Sequence, residues 1–251
     1  MIISHKHKFI FVKCGKVAGT SIEIALRKHL GDSDISTPVA DYDEIYASKN
    51  EIPGPQNYRN SKYYDKRISR GSHGVFYEHA WAHEIRGMVG EDIWSDYYTF
   101  AIERDPREKS LSTYYHHKYG ITFPLYRNIY NAINIHSPFM SELNHPHPSI
   151  AKVCSLSRWL KEDKKHSFSE NWSRYTVNDT VIVDKVYSFN NISSLIRDLE
   201  KIISSKLDVP RLKSGFRKDR SLTLKEQKLL DSLSENSIYK REFEILSIDM
   251  K

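Results

Sequence analysis

The 251-residue sequence predicts an α/β fold with a central parallel β-sheet flanked by helices. Three runs of aromatic and β-branched residues, at 8–12, 97–104 and 179–183, each precede a segment with helical features. Strands that alternate with helices in this way build parallel sheets. The composition, 39% hydrophobic and 28% charged, is that of a globular protein, and the length predicts one domain over residues 1–251.

In the first pairing, Lys8-Phe-Ile-Phe-Val12 reads as a strand, and Ile22, Ala25, Leu26 and Leu30 recur at helical spacing. Thr20 and Glu23 form a capping-box pattern, which predicts a helix that starts at the intervening loop and turns its first N–H groups outward. Such donors suit an anion. The loop, within FVKCGKVAGTSIE, inverts the Walker order. A Walker lysine directly follows the last glycine, whereas Lys16 precedes Gly19 by three residues and Thr20-Ser21 follow.

The second pairing, Tyr97 to Arg104, ends in Asp-Pro-Arg-Glu. Asp105 is a good N-cap, Pro106 fits the first helical position, and Glu108 completes a second capping pattern. In the third, Asp179-Thr-Val-Ile-Val183 reads as a strand, and Ile192, Leu195, Ile196, Leu199, Ile202 and Ile203 form a helical stripe. Residues 41–75 and 119–150 read as irregular surface loops, the usual carriers of binding function. Leucines from Leu222 to Leu233 predict a closing helix, with another at about 236–247.

No run approaches the ~18 apolar residues of a membrane span. The N-terminus lacks the apolar block of a signal peptide, so nothing marks the chain for export. Cys14 and Cys154 are too few for a disulfide framework, which predicts a reducing, cytoplasmic setting. The net charge is 38 − 32 = +6, which favours an anionic partner.

Two strand-to-helix turns, one with Lys16 and one with Arg104, supply the oriented N–H groups and full charges that a doubly phosphorylated nucleotide requires. The stretch Lys16-Val-Ala-Gly-Thr-Ser21 resembles the 5′-phosphosulfate loop of the sulfotransferases that use 3′-phosphoadenosine 5′-phosphosulfate (PAPS). Glu103-Arg-Asp-Pro-Arg-Glu-Lys-Ser-Leu-Ser112 is similar to their 3′-phosphate motif, with the same spacing from Arg104 to Ser112. The run from Tyr77 through Gly90, then Trp94, Tyr98-Thr-Phe100 and Val183 to Phe189, resembles the bacterial carbohydrate-type branch, the family 2 domain. Val17 stands where that family usually has a hydroxyl residue, and Asp105 where it has asparagine.

The resemblance implies a P-loop-NTPase-like sulfotransferase fold, with PAPS as co-substrate and 3′-phosphoadenosine 5′-phosphate (PAP) as product. It implies Lys16, Ala18, Gly19, Thr20 and Ser21 around the 5′-phosphosulfate, Arg104 and Ser112 at the 3′-phosphate, and Arg217 and Lys218 as a further clamp. Lys16 would stabilise the leaving phosphate and His79 would act as base, with His83 as the fallback. The expected acceptor is a hydroxyl of a sugar or glycan. No metal, nucleic acid or membrane partner is expected.

Three other readings compete. His79 and His83 have the spacing of a zinc helix, but Glu84 does not directly follow the first histidine and no third ligand stands out. A P-loop kinase or NTPase would need Gly-Lys-Ser/Thr and a magnesium aspartate, and neither is evident. A non-catalytic binder of polyanions or nucleic acid would use Tyr42, Tyr46, Tyr58, Tyr63 and Tyr64 for stacking. It would show steep salt dependence without turnover.

Overall fold

The computed structural model describes residues 1–59, 76–120, 148–212 and 221–248. They gather into two compact units, one within Met1–Arg104, Asn171–Leu212 and Ile245–Lys251, the other within Asp105–Glu170 and Lys213–Glu244. Among the described residues no helix is long and apolar enough to cross a membrane.

The first unit contains β1 (Ile2–Ser4), β2 (Phe9–Val12), β3 (Ile35–Ser36), β4 (Tyr98–Glu103), β5 (Thr176–Val177), β6 (Thr180–Val181) and β7 (Lys185–Ser188). Five of these form a sheet in the order β3-β1-β2-β4-β7. β4 runs parallel to β2 and β7, whereas β1 is antiparallel to both β2 and β3. The expected parallel sheet is therefore mixed. The reason is local: only residues 5–8 join β1 to β2, and so short a connection closes antiparallel pairs only. Asp34 clamps this turn, accepting the N–H groups of His5 at 2.7 Å and Lys6 at 3.0 Å.

Every residue of β2 is buried, as expected of a strand covered on both faces. Phe11 stacks on Phe100 of β4 with ring centroids 5.1 Å apart, tying the two strands that carry the candidate site. The predicted strand at 179–183 also needs correction. Thr180–Val181 pairs with Thr176–Val177 in a separate two-stranded hairpin, and the strand beside β4 is Lys185–Ser188. Asn178 and Asp179 both have positive φ, 46° and 64°, which suits a two-residue hairpin turn and diverts that segment from the main sheet. The stripe that follows forms the helix Ile192–Ile203, with Leu195, Leu199 and Ile203 in the core.

The first part of the expected 41–75 loop is a helix, Asp41–Lys49. Its sequence carries no apolar stripe, and a tertiary ion pair fixes it instead. Arg27 donates to both carboxylate oxygens of Glu44, at 2.8 and 2.9 Å, and Glu44 also accepts from the N–H of Val39. Residues 60–75 of that loop and 121–147 of the 119–150 loop lie outside the described residues.

In the second unit, the helices Pro106–Tyr115, Leu156–His166 and Leu224–Asp231 surround a core of Leu111, Tyr114, Trp159, Leu160, Leu230 and Tyr239. Buried Asp163 accepts from Tyr239 Oη at 2.7 Å, from Ser169 N–H at 3.0 Å and from Ser110 Oγ. The helix Ser237–Ile248 starts where the second closing helix was expected.

Candidate functional site

β2 and β4 lie side by side in parallel, with Val12 opposite Ala101, so the segments that leave them emerge at the same edge. Ligands of open α/β sheets bind at the carboxyl ends of such strands. Lys13–Ala18 leaves β2 here and Arg104 leaves β4.

The loop is held in a specific shape. Lys16 and Ala18 are both left-handed, each with φ 61°. Gly15 donates its N–H to Asn171 Oδ1 at 2.8 Å, and Asn171 Nδ2 donates back to the Gly15 carbonyl at 3.0 Å. The helix Gly19–Arg27 follows, and its first bond runs from Ile22 N–H to the Ala18 carbonyl. The N–H groups of Gly19, Thr20 and Ser21 thus precede the helical ladder, the position from which donors meet an anion. A Cβ on Gly19 would sit 3.0 Å from Lys13 Cγ, so a larger residue here requires Lys13 to shift.

The expected Thr20–Glu23 capping box does not form. Ala18 is the N-cap without a side-chain bond, and Thr20 lies within the helix. Glu23 instead points inward, its carboxylate 2.6 Å from Lys13 Nζ and 3.0 Å from the Met1 amine. A buried ammonium demands partners, and Lys13, 1% exposed, takes Glu23 and also Glu78 at 2.6 Å. Burial would raise the Glu23 pKa, yet the two cations outweigh it and hold it at about 2.

Lys16 and Arg104 are brought together. Arg104 Nη1 donates to the Lys16 carbonyl at 3.4 Å, its guanidinium lies 4.6 Å over the Phe189 ring, and its N–H bonds Glu103 Oε1 at 2.8 Å. Both side chains are half-buried and Ala18 is exposed. Ser21 is buried, its hydroxyl accepting the Leu212 N–H at 3.3 Å, and Thr20 is buried too. Val17 faces the core, so this position offers no polar contact at the mouth of the loop. Ser112 is half-buried on the helix Pro106–Tyr115 of the second unit. Asp105 caps that helix by accepting the Arg107 N–H at 2.9 Å. Burial would raise its pKa, but Arg107 prevails and lowers it. Arg217 and Lys218 lie outside the described residues.

His79 precedes the helix Ala82–Val89 in a left-handed conformation, φ 63°, and is not one turn from His83 on a shared helix. Its Nδ1 is 3.0 Å from the Lys13 carbonyl, which can only accept, so Nδ1 carries the proton and Nε2 the lone pair. Desolvation, then the Lys13 ammonium, pull its pKa down to about 4, while Glu78, 3.7 Å from Nε2, opposes them. Exposed His83 stacks edge-on against Trp81. Among the described residues no cluster of three possible metal ligands occurs.

Asn171, Arg174 and Glu78 were not singled out in the sequence. Arg174 donates to the His79 carbonyl through Nη1. Asn171 and Arg174 belong to no local pattern, and Glu78 lies unmarked within the Tyr77–Gly90 run; the fold brings all three beside the loop.

Comparison with protein-family models, curated proteins and solved structures found no match to this chain.

Proposed function

We propose that the chain is a PAPS-dependent sulfotransferase acting on an acceptor hydroxyl, with a sugar or glycan as the acceptor class and a P-loop-NTPase-like framework. The observation that carries this reading is the contact between Lys16 and Arg104 at the ends of adjacent parallel strands, beside a helix start that lacks a side-chain cap. These donors fit an anionic nucleotide. PAPS, when bound, supplies the activated sulfuryl group, whose S–O bond to the 5′-phosphate breaks as the acceptor oxygen bonds to sulfur.

In this reading Lys16 stabilises the charge that develops on the leaving phosphate, helped by the N–H groups of Gly19, Thr20 and Ser21. Arg104 holds the 3′-phosphate. His79 Nε2 takes the acceptor proton, and the neutral tautomer described above already has its lone pair there. A P-loop kinase is less well supported, because Lys16 precedes Gly19. We place the enzyme in the cytoplasm, where the buried thiols of Cys14 and Cys154 would stay reduced.

The test is transfer of radiolabelled sulfate from PAPS to a panel of sugars and phenols. Labelled sugar is expected from the native protein, and Lys16→Ala should reduce the rate roughly a hundredfold or more. Labelled phenols without labelled sugars would overturn the acceptor class, and no labelled product at all would overturn the activity.

A further inference from the structure

We propose that Asn171 and Arg174 are positioning residues with separate tasks, Asn171 shaping the anion loop and Arg174 setting the His79 base. The assignment of tasks rests on the sulfotransferase reading; the geometry does not.

The short segment Asn171–Tyr175 reaches the loop at Gly15, β4 at Glu103 and the backbone of His79. Asn171 closes a reciprocal pair of hydrogen bonds on Gly15, immediately before left-handed Lys16. Any side chain at Gly15 would crowd it, since a Cβ there would lie 3.3 Å from Asn171 Oδ1. Arg174 donates to the carbonyl of His79, which is left-handed with φ 63° and turns its Nδ1 to the Lys13 carbonyl. Tyr175 anchors the segment to β4, its hydroxyl 2.8 Å from buried Glu103, whose other oxygen accepts the N–H of Arg104. Asn171 Nδ2 reaches that same oxygen at 3.4 Å. One carboxylate therefore joins the brace to the arginine turn.

Among the described residues, the charged groups that face His79 are Glu78 beside it, Lys13 just after β2, and Arg174 from the brace. Lys13 is compensated by two carboxylates, and of these three groups Arg174 is the one that combines a full charge with a direct bond to the His79 backbone.

Two ligand-free measurements test this on the full chain: NMR titration of the His79 imidazole and hydrogen exchange at the Gly15 amide. PAP affinity and steady-state kinetics are added to them. Asn171→Ala should speed Gly15 exchange and weaken PAP about tenfold, with the His79 titration unmoved. Arg174→Gln, which keeps a donor but drops the charge, should raise the His79 pKa and lower kcat while leaving PAP affinity within about twofold. Arg174→Lys should return the titration towards that of the native protein. The proposal is overturned if Arg174→Gln leaves the His79 titration unchanged, or if both variants move all readouts alike. If the native protein does not bind PAP, the sulfotransferase reading fails, while exchange and titration still decide the two positioning roles.

Discussion

Arg104 Nη1 and the Lys16 carbonyl meet at 3.4 Å, joining the turn after β4 to the loop after β2. Arg104 thus has a structural contact as well as a charge to offer. If the charge holds a 3′-phosphate, Arg104→Ala should weaken PAP about tenfold or more and barely change affinity for adenosine 5′-phosphosulfate, which lacks that group. Equal losses in calorimetry for both nucleotides would show that the arginine acts only by bracing the loop.

His79 supplies a pH signature. With its pKa near 4, the imidazole is neutral across the physiological range, so the acid limb of the rate profile should fall near pH 4 and not near 6.5. His79→Ala should retain PAP binding and abolish transfer. Normal turnover in that variant would remove His79 from the mechanism and leave His83 to be tested next.

The buried charges around Lys13 predict acid sensitivity of the fold. The folded-state pKa of Glu23, about 2, lies below its ordinary 4.5, so its stabilisation is present above pH 4.5 and is lost as pH falls through 2. His79 is depressed from 6.5, so the unfolded chain binds more protons and stability already declines as pH drops from 6.5 towards 4. Urea melts at a series of pH values should show both stages. Glu23→Ala, which leaves Lys13 with Glu78 alone, should cost about 3–5 kcal/mol at pH 7. A cost below ~1 kcal/mol, as for an exposed pair, would contradict this account.

Gly19→Ala should be unfavourable, because its Cβ meets Lys13 Cγ at 3.0 Å and Lys13 is fixed between two carboxylates. A loss of roughly 1–3 kcal/mol in denaturant melts, with weaker PAP binding, is expected. Unchanged stability would mean that Lys13 yields.

Much of this was legible in the sequence where the signal is local. The aromatic run Phe9–Val12, the stripe from Ile192 to Ile203 and the Asp105-Pro106 helix start each carry their own pattern. β1 escaped because two isoleucines beside His5, Lys6 and His7 do not read as a strand, and the partners it pairs with on both edges come from the fold. The helix Asp41–Lys49 escaped because Arg27 and Glu44, 17 residues apart, specify it. Thr20 and Glu23 fit a capping box in sequence, but buried Lys13 claims the glutamate. The site was half legible for the same reason. Lys16, Gly19 and Arg104 sit in motifs, whereas Asn171 lies 156 residues from the Gly15 it holds.

The most direct test of the central claim is calorimetric titration of the protein with PAP, with ATP as the comparison and EDTA present. Micromolar binding of PAP with little affinity for ATP is the predicted result. No binding of PAP, or a preference for ATP once magnesium is restored, would contradict the sulfotransferase assignment.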